Sequence, residues 1–187
     1  MSVIALVVAG TVAGTWIAST MKSSPSSAGT TTTTEVPVVN ELPVPEPPPA
    51  ASVVDPVREL GTIEIPRLKV EQKLMYGVAM PTFDKGVGWW PGTAEPGGFG
   101  NMVLGGHRTT SPRPFRYIDK IEPGDEIIFT TDKGRFVYRA RETKIVDDSA
   151  LWIVDQKPGY TATLFACHPV GSTAQRIVVF ADLDQSA

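Results

Sequence analysis

From Glu59 onward, short apolar runs rich in Val, Ile and Phe are cut by turn residues at short intervals: GTIEIPRLKV, NMVLGGH, DEIIFTT, RFVYRARETKIV, TATLFAC and RIVVFADL. Runs of this length, enriched in β-branched and aromatic residues, predict strands rather than helices. Asp132-Lys133-Gly134 reads as the hairpin turn joining DEIIFTT to RFVYRARETKIV. Two stretches break the rhythm. TFDKGVGWWPGT (82–93) and PFRYIDKI (114–121) each predict a short helical turn, the second stopped by Pro123-Gly124. About eight short strands with little helix point to an all-β domain, either a closed barrel or a sandwich.

The pattern before Glu59 is different. Residues 3–21, VIALVVAGTVAGTWIASTM, carry no charge, and at about 1.5 Å per helical residue they reach roughly 28 Å, near the hydrocarbon thickness of a bilayer. Residues 1–21 therefore read as a membrane anchor. A cleaved signal peptide stays open as the alternative, because Gly, Thr and Ser interrupt the run. No Lys or Arg precedes Lys22, so charge does not give the orientation. Residues 22–57 hold Ser and Thr runs and ELPVPEPPPA, with almost no large apolar side chain. Such a segment cannot bury enough surface to offset its ordering entropy, and it reads as a disordered leash. Extended like polyproline II, about 36 residues would hold a domain up to roughly 110 Å from the membrane. The globular domain is then residues 58–187.

Charge removes one class of function. The net charge of −3 arises in the leash, where Glu35, Glu41, Glu46 and Asp55 outweigh Lys22, and residues 58–187 are balanced. A neutral domain without a basic run offers no electrostatic footprint for nucleic acid. One cysteine excludes an internal disulfide framework.

That cysteine ends a strand. If TATLFAC is extended, Thr163, Phe165 and Cys167 face one side and Leu164, Ala166 and His168 the other. His168 therefore points away from the sulfur, and Pro169 holds its backbone extended. The remaining histidine is His107, at the end of LGGHR, where paired glycines let another segment approach closely. Arg176 opens the next strand after a loop long enough to return it beside its predecessor, which sets it near Cys167 at one sheet end. A thiol must lose its proton to act as a nucleophile, an imidazole can accept and return that proton, and a guanidinium can hold an oxyanion. These three types together point to acyl transfer through a thioester. Without them, a tethered binding module with an inert cysteine is the alternative reading.

TLFACHP, an arginine nine positions after the cysteine, and GGHR about sixty residues upstream resemble the sortases, the cysteine transpeptidases that attach proteins to Gram-positive cell walls. The resemblance spans roughly residues 59–184. It departs from the family's TLxTC at Ala166. It implies a closed eight-stranded β-barrel with one or two short helices, Cys167 as nucleophile, His107 as general acid and base, and Arg176 as the oxyanion clamp. It further implies an LPxTG-like sorting signal cleaved after threonine, with an amine of a peptidoglycan precursor such as lipid II as acceptor. A monomer outside the cell, held by a single-pass anchor, is the matching layout. WWPGTAEPG and HPxGSxxQR look most like the class E enzymes of actinobacteria, which implies LAxTG.

Four further residues are candidates for substrate contact: Trp90 beside Pro91-Gly92, Trp152 in the long connection before the cysteine strand, and the loop residues Ser172 and Thr173. No cofactor is expected. Cys167, His168 and His107 make a poor zinc set without CxxC or HxxxH spacing. Calcium is used by some sortases, with Asp147-Asp148 or Asp125-Glu126 as the available acids, and no ion is expected to be required.

Overall fold

The computed structural model describes residues 57–187. The expected anchor (1–21) and nearly all of the expected leash lie outside the described residues. Among the described residues, no helix is long and apolar enough to cross a membrane.

Eight strands form a closed barrel: β1 (Glu59–Ile65), β2 (Val70–Tyr76), β3 (Val87–Trp89), β4 (Gly100–Gly105), β5 (Glu126–Thr131), β6 (Gly134–Asp147), β7 (Tyr160–His168) and β8 (Gln175–Leu183). Their order around the barrel is β1-β2-β3-β4-β7-β8-β6-β5, with β5 returning to β1. Two neighbouring pairs, β2–β3 and β4–β7, are parallel, and the others are antiparallel. The one α-helical turn among the described residues, α1 (Met80–Phe83), has proline at its start and joins β2 to β3.

GTIEIPRLKV is divided by a 3₁₀ turn at Pro66–Leu68 into β1 and the start of β2. Asp132 and Lys133 form the hairpin turn, flanked by the Thr131–Gly134 pair of β5 and β6. PFRYIDKI carries a 3₁₀ turn at Ile118–Lys120. The other expected helical turn, 82–93, is corrected. The helix lies earlier, and Val87–Trp89 is a strand that pairs with Tyr76 on one side and Leu104 on the other.

Alternation sets the core. Ile63, Leu74, Leu104, Phe129, Leu164 and Val179 are fully buried inside the barrel. Tyr138 is also fully buried, edge-on to Phe129 at 5.5 Å, and its hydroxyl accepts the Gly97 N–H at 3.0 Å. Burial pushes the Tyr138 phenol pKa up, with the Gly97 N–H acting against it. RIVVFADL is apolar on both faces for a visible reason. Ile177, Val179 and Ala181 face the interior, while Val178 and Phe180 lie beneath Ile153 of the β6–β7 connection.

Candidate active site

β7 places Cys167 by the alternation of its side chains. Ala162, Leu164 and Ala166 enter the barrel core, and Phe165 packs in the outer apolar cluster with Val178, Phe180 and Ile153. Cys167, two residues beyond Phe165, shares that outer face and is half-buried and unpaired. Across the β7–β8 ladder its partner is Arg176. On the other side β4 runs parallel to β7, its last pair being Gly105–Phe165, and the Gly106 N–H bonds the Phe165 carbonyl at 3.2 Å. Two residues beyond that pair stand His107, just past the end of β4, and Cys167, still within β7. Three neighbouring strands thus bring Cys167, His107 and Arg176 to one end of the barrel.

The glycines before His107 are required by packing. A Cβ on Gly105 would lie 2.6 Å from the Phe165 ring and 2.8 Å from the Phe83 ring, and one on Gly106 2.8 Å from the Phe115 ring. His107 is nearly covered, with 10% of its side chain exposed. Its Nε2 stands 3.1 Å from Asp84 Oδ1, and the Phe83 ring meets it edge-on at 5.7 Å. The Phe115 N–H bonds its carbonyl at 3.1 Å.

His168 is occupied elsewhere. Arg108 Nη1 donates to its Nδ1 at 2.9 Å, and the same buried guanidinium pairs through Nη2 with Asp119 at 2.8 Å. Because Nδ1 accepts, the His168 proton sits on Nε2. The Nε of Arg108 is buried without a partner. Arg176 is bent over the β7–β8 loop, its Nη1 donating to the carbonyls of Thr173 at 2.7 Å and Gln175 at 2.9 Å. Thr173 therefore meets the site through its backbone. Ser172 closes the same loop, its Oγ accepting the Ala174 N–H at 3.2 Å and its N–H bonding the Pro169 carbonyl at 2.9 Å.

The two tryptophans flank the outer apolar cluster. Trp90 tilts against Phe165 at 6.0 Å, its buried indole N–H unpartnered. Trp152 belongs to a 3₁₀ turn, Leu151–Val154, and stacks on Phe180 at 6.1 Å with Lys157 over both rings. Val178 and Phe180 are thus buried beneath Ile153 and Trp152, and the apolar surface left open is Trp152 itself together with the half-buried Phe165 and Trp90, Phe165 lying on the same face of β7 as Cys167. As for the acids considered for calcium, Asp125 is paired with Arg67 and its Oδ2 accepts the Glu122 N–H at 2.7 Å. Asp147 and Asp148 are exposed.

Sequence reading missed the clamp that holds this surface. Buried Asn101 of β4 donates to the carbonyls of Ile153 at 2.9 Å and Asp155 at 3.1 Å, and its Oδ1 accepts the Thr163 hydroxyl at 2.7 Å. Gln156 answers by bonding the Asn101 backbone at both N–H and C=O. The one available signal was an amide opening the apolar run NMVLGG. Asn101→Ala leaves two carbonyls and a hydroxyl without their partner and is expected to cost about 2–3 kcal/mol of stability. Chemical denaturation measures the loss, and proteolysis within 150–157 should rise with it.

A family model for the sortase domain matches residues 63–184. Sortase D of Bacillus subtilis is 32% identical over 124 residues, covering 64% of this chain and 61% of that protein. Sortase SrtE1 of Streptomyces coelicolor is 32% identical over 142 residues, covering 67% of this chain and 40% of that protein. The chain therefore spans less than two thirds of the length of either relative. Among solved structures, sortase E1 of Streptomyces coelicolor with a tripeptide in its active site has a TM-score of 0.65 at 29% identity, covering 68% of this chain and 89% of that one. A Clostridium perfringens sortase D5 transpeptidase has a TM-score of 0.62 at 30% identity, covering 67% and 79%. With a family model matched across the barrel and both relatives at the same identity, the chain belongs to the sortase family, without preference between the two classes.

Proposed function

We propose that this chain is a transpeptidase acting through Cys167, His107 and Arg176. The observation that carries the reading is their convergence: Cys167 and Arg176 are a ladder pair, and His107 stands two residues past the last β4–β7 pair at the same end. His107 takes the thiol proton, and the thiolate attacks the carbonyl of the threonine in a sorting signal. The N–H groups of Arg176 not used by Thr173 and Gln175 stabilise the oxyanion. The threonine–glycine bond breaks, His107 returns its proton to the leaving amine, and a thioester remains. An acceptor amine then displaces the thiol.

The exposed parts of Phe165, Trp90 and Trp152 take the hydrophobic residues of the signal, with Val178 and Phe180 buried behind them. Ser172 and Thr173 sit on the β7–β8 loop at its catalytic end. We assign alanine to the second position of the signal, giving LAxTG, on the class E resemblance of WWPGTAEPG and HPxGSxxQR. The acceptor is an amine of a cell-wall precursor. The domain works outside the cell, with residues 1–21 as anchor and 22–57 as leash.

A peptide panel varying the second position of LxxTG, with hydroxylamine or diaminopimelate as acceptor, tests this. Cleavage after threonine, faster with alanine than proline, together with threonyl-hydroxamate formation, is expected. Faster turnover of the proline peptide would overturn the class assignment, and no cleavage of any peptide the whole proposal.

A further inference from the structure

We infer that Asp84 is the positioning residue of His107, holding the imidazole in the tautomer and orientation that receive the Cys167 proton. The inference rests on the base assignment of His107 and adds a residue to it.

A neutral imidazole has one N–H and one bare nitrogen, and a carboxylate only accepts. Asp84 Oδ1 lies 3.1 Å from Nε2 of His107, so that contact is a hydrogen bond when Nε2 carries the proton. Nδ1 is then the bare nitrogen, available to the thiol. Once His107 has taken the thiol proton, the carboxylate faces an imidazolium, and the attraction favours the charged pair through which the reaction passes.

The placement of Asp84 is backed by its own backbone. Its N–H bonds the Met80 carbonyl at 3.1 Å, closing α1. The preceding residue, Phe83, sets its ring edge-on against the same imidazole at 5.7 Å, and Gly105 leaves room for that ring. One short connection between β2 and β3 therefore supplies a polar and an apolar contact to the His107 ring. Among the described residues, no other charged group offers the same contact. Arg108, next in sequence, is drawn to His168 and Asp119, and Arg176 to the β7–β8 loop. Cys167, two residues beyond the last β4–β7 pair, is the proton donor of the base assignment.

Solvent limits the size of the effect. The Asp84 side chain is 54% exposed, and exposed charge pairs are screened. Asp84→Ala is therefore expected to lower kcat about tenfold while leaving KM for the peptide within twofold, an effect well short of losing the base. Asp84→Glu should restore most of the rate, because it keeps a carboxylate on a longer stem.

The direct readout is the nitrogen-15 NMR spectrum of the His107 ring, recorded on the 187-residue chain in detergent. The unaltered protein should show the proton on Nε2, and Asp84→Ala a mixture of tautomers. Unchanged tautomers, or a kcat within twofold of the parent, would overturn the positioning role. Asp84→Asn, of nearly the same shape, guards against a folding artefact: a rate equal to the parent in that variant also counts against the carboxylate. His107→Ala separates the two levels. If it stays active, the base assignment fails and the Asp84 role with it. If it is dead while Asp84→Ala matches the parent, only the role of Asp84 is lost.

Discussion

Cys167→Ala is expected to abolish peptide cleavage and transfer, a loss of about four orders of magnitude or more, because no other side chain can form the acyl intermediate. A thiol-directed sorting-signal analogue should give one adduct by mass spectrometry on the parent chain and none on the variant, since Cys167 is the sole cysteine. His107→Ala should be nearly as severe while still leaving a nucleophilic sulfur. His168→Ala should retain most activity despite standing next to the cysteine. Its ring accepts from Arg108 and is held away from the sulfur. Its removal leaves a buried guanidinium with one partner fewer, at about 1–2 kcal/mol, a cost in stability rather than in rate. Activity in His107→Ala combined with its loss in His168→Ala would reverse the assignment.

How much of this was visible in the sequence depends on the reach of each signal. The alternation in TATLFACH separates Cys167 from the core-facing Leu164 and Ala166, because the side-chain period of a strand is local. The Cys167–Arg176 pairing follows nearly as directly, since two antiparallel strands joined by a short loop have few possible registers. The parallel β4–β7 pairing is another matter: all of β5 and β6 lies between its strands, and nothing local encodes it. His107 becomes a candidate through the scarcity of histidines rather than through pairing.

Side-chain contacts across such distances left no pattern at all. Asp84–His107, Arg108–His168 and the Asn101 clamp join residues 23, 60 and about fifty positions apart. The misplaced helical turn has a local cause. Pro81 suits the first turn of a helix and starts α1 ahead of the expected position. Val87–Trp89 is too short to show a period, and it becomes a strand only because β2 and β4 flank it.

The role of Arg176 has a sharper test than deletion. Arg176→Lys keeps the positive charge at the end of β8, so if charge alone stabilised the oxyanion the variant would work nearly as well as the parent. The geometry argues otherwise. Nη1 already spans two carbonyls, those of Thr173 and Gln175, which fix the plane of the guanidinium against the loop. An ammonium has a single nitrogen on a flexible stem and cannot brace the loop while also donating in a set direction to the substrate. Arg176→Lys is therefore expected to lower kcat about 100- to 1,000-fold, the scale seen when an oxyanion donor is removed. The effect should fall on kcat more than on KM, because the oxyanion exists only beyond the ground state. The acyl-enzyme should build up more slowly in a stopped-time assay, while modification of Cys167 by a small thiol reagent proceeds. A lysine variant within a few-fold of the parent would show that Arg176 serves only as a charge.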